Sequence, residues 1–232
     1  DMLKAVIFDF DGVVADSERL HYKALNQVFA AKGIHVPEEV HWQKYLGYTD
    51  LENVLAVNED YKMNWSSQEI QQIIELKTAQ FHALARTEAP IIDGVEEFVE
   101  MLSDHGYPLA ICSGAMREDI RIMLEHSGFA SAFSVMVTAE DVEKGKPDPQ
   151  GYNLALKKLN NTVGRKIEAG NCIVIEDSHW GLQAAAAAGM RRIGVTNTYP
   201  KEHLAQFADF VIDRLDKLAI TDLKRICNSN GS

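Results

Sequence analysis

With 232 residues the chain is long enough to bury a substantial core without disulfide or metal staples. A formal net charge of -11 excludes the basic footprint that nucleic acid or an anionic membrane surface demands, so an anionic small substrate would need local positive charge. No apolar run approaches a membrane span and no internal repeat marks a solenoid.

The three cysteines, Cys112, Cys172 and Cys227, are odd in number and far apart. Two of them lie in apolar runs, which predicts buried reduced thiols in a cytoplasmic protein. The chain also enters its first strand within a few residues, with no basic and apolar leader, which argues against secretion. The tail Asn228–Ser232 is expected to be loose.

The chain is organised around its first strand, Val6-Ile7-Phe8-Asp9-Phe10-Asp11-Gly12-Val13-Val14. An apolar, β-branched run ends in two carboxylates and a glycine, as a buried strand does when it delivers acid groups to a sheet edge. In extended backbone Asp9 and Asp11 project to the same side, roughly 7 Å apart. Two such carboxylates repel unless a cation sits between them or one holds a proton, so the pair implies a metal or an acid/base division of labour.

Helical spacing follows from Ser17 to Lys32, with Gly33 as a stop. Further helical patterns cover Pro37–Leu46 and Leu51–Val57, and a longer one opens on a Ser66/Glu69 capping box and runs past Leu84. No strand interrupts this stretch.

After Pro90 the pattern alternates. A helix from Asp93-Gly94 to His105 precedes a strand at Pro108–Ser113, and a helix at Arg117–Ser127 precedes a strand at Phe133–Thr138. A helix at Pro149–Leu159 leads to a strand at Cys172–Asp177. The alanine-rich helix Gly181–Ala188 is followed by strands at Arg192–Thr196 and Phe210–Ile212. Such alternation predicts a parallel, doubly covered, Rossmann-like sheet. The core would comprise residues 1–14 and 91–232, and residues 15–90 an inserted all-helical cap, placed to act as a lid. Trp42, Trp65 and Trp180 are expected to pack rather than to form sugar platforms.

Parallel sheets bind ligands at the carboxyl ends of their strands. Here those ends carry Asp9 and Asp11, then Ser113-Gly114, then Lys146-Pro147 in the loop beyond the third strand, then Glu176-Asp177-Ser178. Acid, hydroxyl, lysine and acid in that order form a much stronger signal than any one member.

These segments, Asp9-Phe10-Asp11-Gly12-Val13-Val14-Ala15-Asp16-Ser17, Ser113-Gly114, Gly145-Lys146-Pro147 and Glu176-Asp177-Ser178, resemble the four motifs of the haloacid dehalogenase superfamily, specifically its aspartate-dependent phosphatases and β-phosphoglucomutase-like phosphomutases. The resemblance spans nearly the whole chain in order, with the helical insertion where that family carries its small type of cap. It implies an α/β core, a helical cap, Mg2+, and transfer of a phosphoryl group from a small phosphorylated metabolite through a phosphoaspartate.

On that resemblance Asp9 would be the nucleophile, forming an acyl phosphate that water cleaves. Asp11 would protonate the leaving group and then activate water, its backbone carbonyl also ligating the metal. Asp177 would be a direct Mg2+ ligand, with Glu176 in the same shell or one step out. Ser113 and the Gly114 backbone would hold phosphoryl oxygens, and Lys146 would offset charge repulsion at the site.

His21 and Lys77 resemble substrate-facing cap residues. The mutase-like pattern carries an arginine three residues after the cap-loop glycine, whereas Gly47-Tyr48-Thr49-Asp50 has an aspartate. The resemblance therefore favours a phosphatase over a phosphohexomutase. A haloacid dehalogenase would need no Mg2+ and lack the second aspartate, and a non-catalytic role would leave a complete catalytic set idle. The sequence sets no oligomeric state.

Overall fold

The computed structural model describes residues 3–88 and 90–228; of the tail expected to be loose, 229–232 lie outside the described residues. The chain forms two compact units, one of the residues up to Asp16 and from Ile91 onward, the other Ser17–Pro90. Among the described residues no helix is long and apolar enough to cross a membrane.

The first unit opens with β1 (Ala5–Phe8), every residue of which is buried. That explains a run apolar on both faces rather than alternating. The second unit interrupts the chain with α1 (Ser17–Ala30), α2 (Glu38–Val40), α3 (Asp50–Asp60) and α4 (Ser67–Glu88).

Leu25, Val28 and Phe29 of α1, Val54 and Val57 of α3, and Ile70 and Ile73 of α4 bury a common core there, with Trp65 added. The predicted capping box is present: Ser66 Oγ accepts from Glu69 N–H at 3.3 Å, and Glu69 Oε2 accepts from Ser66 N–H at 2.9 Å. The helix expected over Pro37–Leu46 is instead the single turn α2 running into a π-helical turn, His41–Tyr45. There the Leu46 N–H reaches back to the His41 carbonyl at 3.0 Å.

The first unit resumes with α5 (Val95–Asp104), β2 (Leu109–Cys112), α6 (Arg117–Leu124), β3 (Phe133–Val137), α7 (Gln150–Val163), β4 (Cys172–Glu176), α8 (His179–Ala187), β5 (Arg191–Val195), α9 (Lys201–Leu204), β6 (Phe210–Ile212) and α10 (Ile220–Asn228). The six strands form one sheet in the order β3-β2-β1-β4-β5-β6, and every neighbouring pair is parallel. On one face Ala5, Ile7, Cys112 and Val174 pack with Tyr152, Ala155 and Leu159 of α7 and Ala184 and Ala185 of α8. Phe8, on the opposite side of β1 by strand alternation, meets Phe98 of α5 with ring centroids 6.0 Å apart.

Helices α9 and α10 answer to no predicted element. The first is a single turn, and the second is short, burying only Leu223, Ile226 and Cys227, too few positions for a periodic signal to stand out. Trp180, expected to pack, is half exposed.

Strand order reverses between β1 and β4, so the connections leaving these two neighbours run in opposite directions and open a crevice at their carboxyl ends. Phe8 is in register with Ile175, and the Asp9 N–H continues the ladder to the Ile175 carbonyl at 2.9 Å. This pairing sets Asp9 beside Glu176 and Asp177.

Candidate active site

β1 ends at Phe8, so Asp9 is the first residue past the strand, its N–H still paired to β4, while Asp11 already lies in a turn. That turn closes through Gly12 N–H to the Ala15 carbonyl at 2.8 Å and Val14 N–H to the Phe10 carbonyl at 2.8 Å. Gly12 has a φ of +74°, and a Cβ there would lie 2.0 Å from Asp177 Oδ2. Only glycine lets the turn cross so close to that carboxylate.

Lys146 joins the strand ends. Its ammonium donates to Asp9 Oδ1 at 2.7 Å, to Glu176 Oε1 at 2.6 Å and to the Cys112 carbonyl, the last of β2, at 3.1 Å. Glu176 is completely buried, and both its oxygens are engaged. Oε1 also accepts from Tyr152 Oη at 2.7 Å, while Oε2 accepts from the Asp177 and Ser178 backbone and from Ser178 Oγ.

Asp177 is nearly buried and accepts a hydrogen bond from Thr198 Oγ1 on Oδ2. Ser178 caps α8 by accepting from Gly181 N–H at 3.2 Å. On the far side of the turn, Ser113 Oγ donates to Asp11 Oδ2 at 3.1 Å and accepts from Ala115 N–H at 3.0 Å. Gly114 follows, exposed, with no atom near where a Cβ would stand.

The charges do not balance. Asp9, Glu176 and Asp177 each bring a carboxylate oxygen into a cluster within 4.8 Å, and Lys146 alone opposes them with direct ion pairs to Asp9 and Glu176. With all three ionised, three negative charges less one positive would leave two. Burial, then repulsion from Glu176, raises the Asp9 carboxyl well above its usual range, against the pull of Lys146. The same two causes carry Asp177 up to about 7. Desolvation works against the Lys146 ammonium, yet Asp9 and Glu176 hold its pKa well above normal.

Two uncompensated charges on buried oxygen ligands are what a divalent oxygen-loving cation neutralises, and Mg2+ is bound through one or two carboxylates. Among the described residues, Asp9 and Asp177 each retain an oxygen without a protein hydrogen bond. The donor set therefore fits Mg2+ with Asp9 and Asp177 as its carboxylates. Glu176 lies within the same cluster with its lone pairs directed to other donors.

His21 and Lys77 lie together in the helical unit. Lys77 is 2% exposed; its ammonium donates to Asp50 Oδ1 at 2.5 Å and sits 2.6 Å from His21 Nδ1. His21 stacks on Phe81 at 4.2 Å. Burial, then the Lys77 charge, push its pKa well below normal, so the ring is neutral at pH 7.

Three contributors escaped the sequence reading. Tyr152 lies inside the predicted helix Pro149–Leu159 with no motif to single it out, although a buried tyrosine hydroxyl needs a partner. Asn197 and Thr198 stand just past the carboxyl end of β5, the edge at which a parallel sheet places its ligand-facing groups.

The profile of the haloacid dehalogenase-like hydrolases matches residues 6–195. Validoxylamine A 7'-phosphate phosphatase of Streptomyces hygroscopicus subsp. limoneus is 28% identical over 218 residues, covering 94% of this chain and 96% of that protein. A phosphorylated carbohydrates phosphatase of Thermotoga maritima is 30% identical over 191 residues, 82% of this chain and 84% of its own. The crystal structure of β-phosphoglucomutase from Clostridium difficile superposes with a TM-score of 0.76 at 24% identity, covering 97% of both chains; it shares the fold.

Proposed function

We infer, from the membership of this chain in the haloacid dehalogenase-like hydrolase family, that it is a phosphatase that hydrolyses a small phosphate monoester, a sugar phosphate or similar metabolite, in the cytoplasm. The observation that carries the mechanism is the Asp9 carboxylate, 7% exposed at the end of β1 and bonded to Lys146 beside Glu176 and Asp177.

In this reading an Asp9 oxygen attacks phosphorus, and the bond to the leaving oxygen breaks. Asp11 supplies the proton that the leaving alkoxide takes up. Water then attacks the phosphoaspartate, Asp11 accepts its proton, and inorganic phosphate leaves with Asp9 regenerated. The Ser113 hydroxyl, whose single proton goes to Asp11 Oδ2 at 3.1 Å in this structure, turns that proton to a phosphoryl oxygen when substrate binds, beside the Gly114 N–H. Lys146 offsets the charge of the incoming phosphate.

Asp9, Asp177 and the Asp11 backbone carbonyl would hold Mg2+, which when bound neutralises the charge that builds on the phosphoryl oxygens. Glu176, with Lys146 and Tyr152 on the same oxygen, stands one step behind and keeps Lys146 aimed at Asp9.

A phosphohexomutase needs a grip on a second phosphate. Asp50, where the mutase-like pattern has arginine, is instead a carboxylate bonded to Lys77, which supports the hydrolase reading. The three free, buried cysteines support a reducing compartment. Among the phosphatases similar to this chain, one is named for phosphorylated carbohydrates and another for validoxylamine A 7'-phosphate, which supports a small phosphorylated metabolite as the substrate.

The test is a panel of phosphorylated metabolites assayed for phosphate release with Mg2+ and with EDTA. Release from a sugar phosphate, lost in EDTA, is expected. Isomerisation of a hexose phosphate primed by a bisphosphate, without net phosphate release, would replace the hydrolase by the mutase.

A further inference from the structure

The segment that leaves β5, Thr196 to Tyr199, belongs to none of the four motifs, yet it is bonded to two of them. Thr198 Oγ1 donates to Asp177 Oδ2, and Asn197 Nδ2 donates to the Gly12 carbonyl at 2.8 Å. A Cβ at Gly12 would lie 2.0 Å from Asp177 Oδ2 and 2.8 Å from Thr198 Oγ1. The loops after β1, β4 and β5 therefore meet in one close contact.

Both ends of the segment are fixed. Thr196 N–H donates to the Ile212 carbonyl at 3.0 Å, extending the β5–β6 ladder. Tyr199 packs edge-on against His179 in the first turn of α8, with centroids 5.5 Å apart, and tilted at 34° against His203 of α9 at 5.2 Å. His179 and His203 are themselves within hydrogen-bond distance, at 3.2 Å. Thr198 is thus held from two directions, although its side chain lies at the surface.

We propose that Thr198 is a positioning residue for the cation site: its hydroxyl holds the Asp177 carboxylate in one orientation, ready to ligate a divalent metal. The proposal rests on the reading of Asp9 and Asp177 as the metal carboxylates. A carboxylate free to rotate must be ordered when the metal binds, whereas one already held by a donor on its other oxygen is preorganised. Ligand-orienting hydrogen bonds of this kind are worth about 10–100-fold in metal affinity. Asn197 acts on the facing turn, tying the Gly12 peptide to the same segment and keeping the two loops in register.

The experiment is a titration of metal-free protein with Mn2+, following the free ion by its electron paramagnetic resonance signal, with no substrate present. Wild type, Thr198→Val, Thr198→Ser and Asp177→Asn are compared, with circular dichroism and thermal melts to confirm folding. Thr198→Val keeps the shape and removes the donor, and should weaken Mn2+ binding about 10–100-fold. Thr198→Ser should bind as the wild type does. The Mg2+ concentration for half-maximal phosphate release should shift by the same factor in Thr198→Val.

If Asp177→Asn loses Mn2+ while Thr198→Val binds it as tightly as wild type, the positioning role is overturned and the metal reading stands. Equal losses in the valine and serine variants also overturn it, because the hydroxyl would then not be the cause. Binding that Asp177→Asn leaves intact overturns the metal reading and this proposal together.

Discussion

Gly181 in the first turn of α8 has an ordinary helical environment by sequence, and replacing it with alanine should raise helix propensity by about 1 kcal/mol. The structure reverses that expectation. A Cβ at Gly181 would lie 1.6 Å from Glu176 Oε1, 1.8 Å from its Cδ and 2.3 Å from Oε2, so the whole carboxylate must move. Glu176 is fully buried and accepts from Lys146, Tyr152, the Asp177 and Ser178 backbone and Ser178 Oγ.

Overpacking alone costs about 1–3 kcal/mol, and each hydrogen bond to a charged group that is broken costs about 1.5–3 kcal/mol more. Two broken bonds against the propensity gain leave a net loss on the order of 3–8 kcal/mol. For a protein of this size that lowers Tm by roughly 6–30 °C. Activity should fall by about 100-fold, because Lys146 is displaced from Asp9 along with its anchor.

Differential scanning calorimetry and phosphate release on Gly181→Ala measure both effects. Gly170→Ala, with no atom within 4 Å of its Cβ, is the control and should melt as wild type. A Gly181→Ala protein that melts within about 2 °C of wild type with full activity would refute the account of Glu176 as a rigid anchor.

The remaining predictions concern charge. In the metal-free protein Asp177 titrates at about 7, against about 3.9 in an unfolded chain. The folded state thus keeps a proton that the unfolded state gives up; this stability is present in full below pH ~4 and is lost as pH rises through ~7. The gain in Tm on adding Mg2+ should therefore widen from pH 5 to pH 8.5, and a gain that is constant or largest at pH 5 would contradict it. Asp9→Asn should release no phosphate while melting at or above the metal-free wild type at pH 8, since one of the crowded carboxylates is gone; wild-type turnover would sink the nucleophile assignment. Asp11→Asn should slow breakdown of the phosphoenzyme, visible as acid-stable label accumulating on the protein; label that decays at the wild-type rate would remove Asp11 from that step. Asp50→Ala leaves the buried Lys77 ammonium without its carboxylate and should destabilise the helical unit by about 1–3 kcal/mol, read as faster amide exchange in α1 and α4; unchanged exchange would show the pair to be dispensable.

The architecture was largely legible in the sequence, because apolar β-branched runs alternating with helical periods admit few arrangements other than a covered parallel sheet. The departures fall where the local signal is weak: the π-helical turn at His41–Tyr45 reads as ordinary helix, and α10 has too short an apolar face. The chemistry at the strand ends could also be read in order, since acid, hydroxyl and ammonium groups stand directly after apolar runs at Asp9, Ser113 and Glu176, with Lys146 in the loop after the third run.

What those residues do to one another was decided only by the tertiary structure. Glu176 and Asp177 are adjacent in sequence and look alike, yet they face different partners. The first is saturated by Lys146, Tyr152 and its own helix start; the second meets Thr198, which arrives from another strand. In the sequence Lys77 resembles a substrate-facing residue and Asp50 stands where the mutase-like pattern has arginine; folding joins the two as an ion pair. Sequence determines which donors and acceptors exist and which end of the sheet they occupy. Distances between residues far apart in the chain set which of them are satisfied by protein, and so which carboxylates are left to take a cation.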